Sequence, residues 1–120
     1  MLSALSSSLS GLQAASKRVE VSANNLANSS SGNFLPQQSQ QTSDANGAVI
    51  VDVKTQDNPT QKFYSPDDPS ADDAGFITRP NVDPAKELVD LNIASYDFKA
   101  NLKALEINDK NQQALLDIIT

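Results

Sequence analysis

Apolar residues recur at heptad spacing at both ends of this 120-residue chain. Towards the C-terminus, Leu88, Ser95, Leu102, Asp109 and Leu116 fall at one heptad position, and Leu91, Phe98, Leu105, Gln112 and Ile119 at the other. Towards the N-terminus, Leu2, Leu9, Ser16 and Ala23 share one position, and Leu5, Leu12, Val19 and Leu26 share the second. Two such rows make a narrow apolar seam, which belongs to a coiled coil more than to the flank of a globular core. The C-terminal helix has a defined start. The Asp83 carboxylate can accept from free N–H groups of the first turn, Pro84 suits the first helical position, and Glu87 adds negative charge near the dipole's positive end. No Gly or Pro follows Pro84. The N-terminal helix is weaker, because Gly11 and many Ser residues lower its intrinsic helicity. We expect it to order only when packed.

That helix should end within residues 24–32, Asn24-Asn25-Leu26-Ala27-Asn28-Ser29-Ser30-Ser31-Gly32. The asparagines either cap the helix and its following turn, or satisfy backbone groups of a neighbouring element. Residues 33–44, rich in Gln, Ser and Thr around Pro36, read as a flexible linker or a loop that orders on assembly. Asn46-Gly47 is a strong turn signal. Residues 48–54 follow, with Val49, Val51 and Val53 on one face of a strand. Asn58-Pro59 breaks it; residues 61–64 and 76–79 could form two more short strands, the latter entered at Gly75 and stopped by Pro80. The middle is too small to hold a core of its own.

The expected fold is therefore mainly α. Residues 1–28 and 83–120 form N- and C-terminal assembly helices pairing as a coiled-coil hairpin, and residues 29–82 form a small extended, β-rich insertion, all within one structural unit.

Composition narrows the function. Hydrophobic content is 38% and aromatic content 5%, thin material for a compact core, so burial must come partly from other chains. The net charge of −6 argues against a nucleic-acid partner, which needs a basic footprint. Absence of Cys and His removes thiol nucleophiles, thiolate metal sites and the commonest general base. No apolar run is long enough to span a bilayer. The N-terminus, with no basic residue before Lys17, does not read as a cleavable secretory signal.

Asp67, Asp68, Asp72 and Asp73 are the one acidic cluster in which calcium could be sought. Their spacing does not fit an EF-hand loop and Pro69 interrupts them, so they read as a solvated acidic turn. No Ser is paired with a base and there is no Gly-rich phosphate loop. Glu106 and Lys110 stand in the favourable order for an exposed helical ion pair. Asp109 and Gln112 interrupt the C-terminal seam, either facing water or fixing register against a partner. No catalytic residue, metal or cofactor is expected.

Two segments carry a resemblance. Residues 10–16 (Ser-Gly-Leu-Gln-Ala-Ala-Ser) with 22–28 (Ser-Ala-Asn-Asn-Leu-Ala-Asn) resemble the N-terminal signature of bacterial flagellar rod and hook axial proteins. Residues 64–69 (Tyr-Ser-Pro-Asp-Asp-Pro), Ala71-Asp72, Gly75-Phe76 and Pro80-Asn81-Val82-Asp83 are similar to the segment before the last helix of the C-type proximal rod subunits of that family. Glu87-Leu88-Val89, Ser95-Tyr96 and Ala100-Asn101 continue the likeness. Residues 30–36 depart from the family pattern, and the middle is short for it.

The resemblance implies a non-enzymatic rod subunit, exported through the flagellar type III apparatus without a cleaved signal. It implies helical polymerisation through the terminal helices into a tube around a channel in the periplasmic space. The implied partners are the chain itself, other rod proteins, the export apparatus and the surrounding basal-body rings. The expected assembly residues are Leu2, Leu5, Leu9, Leu12, Val19 and Leu26 against Leu88, Leu91, Phe98, Leu102, Leu105, Leu116 and Ile119, with Asn24, Asn25 and Asn28 as a subunit-contact loop. The competing readings are another rod or hook axial subunit and a soluble helical-hairpin adaptor that forms a closed oligomer.

Overall fold

Asp83 starts the longer helix as its chemistry dictates. Its Oδ1 accepts from the N–H groups of Ala85 (3.0 Å) and Lys86 (3.3 Å), and the helix follows from Pro84. The computed structural model describes residues 2–45 and 47–119, with side chains inside 5–117. In order, the elements are α1 (Leu2–Ala27), β1 (Gln37–Ser43), β2 (Val49–Thr55), β3 (Thr60–Tyr64), β4 (Phe76–Pro80) and α2 (Pro84–Ile119). The fold is mainly helical, with two long terminal helices in contact and two small hairpins between them.

The helices run antiparallel. Asn25 meets Glu87, Arg18 meets Asp97 and Gly11 lies against Asn101. With a rise of about 1.5 Å per residue, that register sets the start of α1 beside about residue 111 of α2. The last turns of α2 therefore run past α1, and residues 111–117 are all exposed. The Cα radius of gyration is 20.8 Å and the molecule measures 79 × 24 × 16 Å. A compact chain of this length would have a radius of about 14 Å. The core is correspondingly slight: among the described residues Ala14, Ala15, Val21, Ile77 and Ala94, with Pro36 and Pro80, are its buried apolar residues.

The leucine rows do not simply face one another. On α2 the inward stripe passes through Glu87, Leu91, Ala94, Asn101, Leu105 and Asn108, while Leu88, Leu102 and Leu116 are turned outward. On α1, Leu12, Val19 and Leu26 are half-buried and Leu5 and Leu9 are exposed. α2 thus leaves Leu88, Leu102 and Leu116 uncovered, and α1 leaves Leu5 and Leu9 uncovered near its start. The reason is the small side chains: Ala15, Ser22 and Ala94 are almost wholly enclosed and let the backbones approach closely. The side chains of Leu2 and Ile119 lie outside the described residues.

At Gly11 the α1 backbone lies directly against the Asn101 side chain of α2. A Cβ there would lie 2.6 Å from Asn101 Oδ1, while Asn101 Nδ2 donates to the Asp97 carbonyl at 2.9 Å. Gly11→Ala alone displaces that amide and should change stability little, because it also gains helix propensity. Gly11→Ala combined with Asn101→Ala removes the clash and should raise urea stability by about 1 kcal/mol. A double variant no more stable than the parent would contradict this account of the contact.

The middle corrects one expectation. Residues 37–43 are not a linker but strand β1, antiparallel to β2 from Gln37↔Thr55 to Ser43↔Val49. Its Gln-Gln-Ser-Gln-Gln-Thr-Ser sequence has no alternation of its own, so the ladder offered by β2 decides its conformation. The Asp44 N–H donates to the Ala48 carbonyl and Gly47 takes φ +78°, the left-handed geometry a tight hairpin turn requires. Asn46, the other half of the expected turn, lies outside the described residues. Val49, Val51 and Val53 share a half-buried face over α1, as the pattern predicts.

The other strands form a second hairpin, β3 and β4, from Thr60↔Pro80 to Tyr64↔Phe76. Among the described elements it packs on neither helix. It is tied back through the Asn81 N–H to the Pro59 carbonyl (2.8 Å) and Gln56 Nε2 to the Asn81 carbonyl (3.3 Å).

Candidate assembly surface

The polar centre of the molecule is built on Asn25, which is completely buried. Its Oδ1 accepts from the Gln37 N–H (2.9 Å) and its Nδ2 donates to the Gln37 carbonyl (2.6 Å), so the side chain pairs with the edge of β1 as another strand would. The same Nδ2 donates to Oε1 of the buried Glu87 at 3.0 Å. One side chain thereby joins α1, the first hairpin and α2. The Asn25 side chain is enclosed within its own chain, where it satisfies backbone groups of a neighbouring strand, one of the two roles its sequence context offers. Asn28 takes the capping role: its Nδ2 donates to the Asn24 carbonyl (2.9 Å) and to Asn24 Oδ1 (2.8 Å). Asn24 stays exposed.

Beside this clamp lies a polar groove of about 450 Å³ between α1, β1 and the start of α2. Arg18, Lys86, Asp57, Glu87 and Asp90 line it with both signs of charge. The cations are already engaged, Arg18 with Asp97 at 2.6 Å and Lys86 with Asp90 at 3.0 Å. The Asp90 carboxylate raises the Lys86 pKa above its ordinary value. The groove presents no reactive group.

The acidic turn is occupied with its own backbone. Asp68 Oδ1 accepts from the Ser70 N–H, and Asp72 Oδ1 accepts from the N–H groups of Ala74 and Phe76. Among the described residues no group of three or more His, Cys, Asp or Glu side chains could hold a metal ion. The Phe76 N–H is the chief cause that lowers the Asp72 pKa below 3.8, helped by the Ala74 N–H and the Lys62 ammonium. A lowered folded pKa supports the turn fully above pH 3.8 and withdraws that support as pH falls through the lower folded value. In an acid titration followed by NMR, the Phe76 and Ala74 amides should therefore shift with a midpoint below 3.8. A midpoint at or above 3.8 would contradict the hydrogen bonding described here.

The remaining feature is apolar and exterior. Leu5, Leu9, Leu88, Leu102 and Leu116 are exposed, and Phe98 is 38% exposed. Val89, Ile93, Ile107 and Leu115 add to the uncovered surface of α2. Leu12, Val19, Leu26, Leu91 and Leu105 are half-buried towards the interior. Asp109 and Gln112 are exposed, and Asp109 Oδ2 accepts from Gln113 Nε2 at 2.9 Å. The Glu106–Lys110 pair forms at 2.7 Å, and Lys103 joins it at 2.8 Å. Together these lysines lower the Glu106 pKa, Lys103 contributing first. Among the described residues no helix is long and apolar enough to cross a membrane.

An elongated helical hairpin with a slight core and long uncovered apolar rows is a structural subunit made for assembly. Comparison with known proteins agrees. Residues 5–34 match the family model "Flagella basal body rod protein", and residues 73–118 match "Flagellar basal body rod FlgEFG protein C-terminal". The chain is 34% identical over 108 residues to the flagellar basal-body rod protein FlgC of Salmonella typhimurium, covering 80% of this chain and 81% of that protein. It is 32% identical over 108 residues to FlgC of Escherichia coli O6:H1, with the same coverage. The match to FlgC of Bacillus subtilis is 37% over 60 residues, spanning 50% of this chain and 40% of that relative. This chain belongs to the flagellar basal-body rod protein FlgC family. It is a flagellar basal-body rod subunit, a structural protein of motility and not an enzyme, and the family implies assembly with other rod proteins.

Proposed function

We propose that this chain builds the proximal part of the rod, polymerising through its terminal helices into a tubular drive shaft that transmits torque and encloses the export channel. The observation that carries the reading is the set of uncovered apolar rows, Leu88, Leu102 and Leu116 on α2 with Leu5 and Leu9 on α1, together with the run of α2 past the end of α1. A two-helix unit cannot cover those rows itself, so copies stacked head to tail do so. Non-closing contacts of this kind give an open helical assembly. The slight core suits passage through the type III export apparatus as an unfolded chain, which folds after export and then assembles in the periplasmic space. The two hairpins then lie outward, towards neighbouring rod subunits and the basal-body rings.

The test is cryo-electron microscopy of basal bodies from cells whose copy of this chain carries a small tag in the exposed 67–73 turn. The expected result is tag density on the outside of the proximal rod, with α1 and α2 in its inner tube. A rod without the tag, and a protein that purifies as a discrete soluble oligomer, would replace this reading with that of a helical adaptor.

A further inference from the structure

The first hairpin leaves two backbone edges open in a pattern that selects a partner. The Gln56 N–H donates to the Pro36 carbonyl (2.8 Å) and the Asp44 N–H to the Ala48 carbonyl (2.9 Å), which sets the phase of the β1–β2 ladder. Residues 38, 40 and 42 bond across to β2, so the N–H and C=O groups of 37, 39, 41 and 43 point to the free edge of β1. By the same phase, 49, 51, 53 and 55 point to the free edge of β2. The molecule blocks one end of each edge. Asn25 takes both groups of Gln37, and the Ser10 hydroxyl accepts from the Val49 N–H at 3.1 Å. The outward backbone groups of Ser39, Gln41 and Ser43, and those of Val51, Val53 and Thr55, have no partner among the described residues.

Edges of this kind are normally protected by charge, proline, a bulge or a covering element. Beyond Gln37, which Asn25 covers, β1 has none of these: its seven residues lie in unbroken register, none charged, none proline, six of them exposed. We infer that this edge is kept open for a second copy, and that β1 of one subunit pairs antiparallel with β2 of the next, Ser39, Gln41 and Ser43 lying opposite Thr55, Val53 and Val51. The blocked ends choose the direction. In a parallel pairing, Asn25 of one copy and Ser10 of the next would bring both α1 helices to the same end of the joint. In the antiparallel pairing they fall at opposite ends, and the three open positions of each edge coincide. The joint makes about six backbone hydrogen bonds. Neutral β1 sets no like charge against Asp52 or Lys54, which pair with each other at 3.2 Å. A β1-to-β1 pairing would close as a two-fold dimer, whereas β1-to-β2 pairing propagates. The inference rests on the proposed polymerisation and adds a sheet that runs from subunit to subunit outside the helical tube.

The full chain has no cysteine, so single thiols report cleanly. Gln40→Cys and Lys54→Cys are purified separately, mixed at concentrations that give sedimentable polymer, and oxidised mildly. Residues 40 and 54 of adjacent copies would form a non-hydrogen-bonded pair, within disulfide reach. The expected result is a covalent dimer at least about fivefold more abundant in the mixture than with either variant alone. Gln41→Pro, added to the Gln40→Cys chain, deletes an outward N–H without removing a bond inside the hairpin. It should return the yield to that of the single variants while helical circular dichroism is kept.

Polymer without the mixed dimer would overturn the edge pairing and leave the rod reading standing. Efficient dimerisation of Gln40→Cys alone would overturn it in favour of a closed β1 pair. Undiminished cross-linking in the Gln41→Pro chain would also overturn it. Neither polymer nor cross-link would sink both readings together.

Discussion

Leu102→Asp is expected to abolish swarming and rod incorporation while leaving the isolated chain folded. Leu102 is 52% exposed on the outward row of α2, so the monomer loses little when it is changed. The cost in urea unfolding should stay below about 1 kcal/mol, mostly helix propensity. In an assembly the same position would be covered, and an unpaired carboxylate there is expensive to bury. Leu105→Asp serves as the contrast. Leu105 is half-buried on the inward row facing α1, so that change should destabilise the monomer itself by about 2 kcal/mol. Swarming at the parental rate by Leu102→Asp would remove the outward row from the assembly contacts.

Asn25→Ala should be the most damaging single change to the free chain. It strands the Gln37 N–H and C=O at once and takes the donor from the buried Glu87 carboxylate. Each orphaned group carries its own desolvation cost, and the total should reach about 2–4 kcal/mol by urea denaturation. Asn25→Asp should rescue little near neutral pH, because it still offers no donor to the Gln37 carbonyl and places a second carboxylate beside Glu87. Glu87→Gln keeps an oxygen for Asn25 Nδ2 and should cost less than about 1 kcal/mol. If Asn25→Ala were as stable as the parent, the clamp would not hold the two helices and the hairpin together. Stability and assembly thus separate: Asn25 acts inside the chain, Leu102 outside it.

The acidic turn shows how local chemistry can be read in advance. Asp72 lies two and four residues from the amides it binds, so its role is set within one turn. β1 shows the opposite. Seven Gln, Ser and Thr residues carry no periodic signal, and the hairpin turn with a valine strand on its far side was the available clue that a mate precedes it.

What the sequence by itself determined about this protein is local or periodic. The heptad rows define two helices, Asp83 and Pro84 start the second, the alternating valines make β2, and the motifs at both ends mark the rod family. These follow from contacts a few residues apart, which a pattern can carry. Tertiary structure alone decided which leucine row faces inward, because that depends on where Ala15, Ser22 and Ala94 let two distant helices touch. It alone turned Asn25 into a clamp, since its partners lie 12 and 62 residues away. It also decided which backbone edges stay open, because hydrogen-bond phase is a property of paired strands and not of either strand alone.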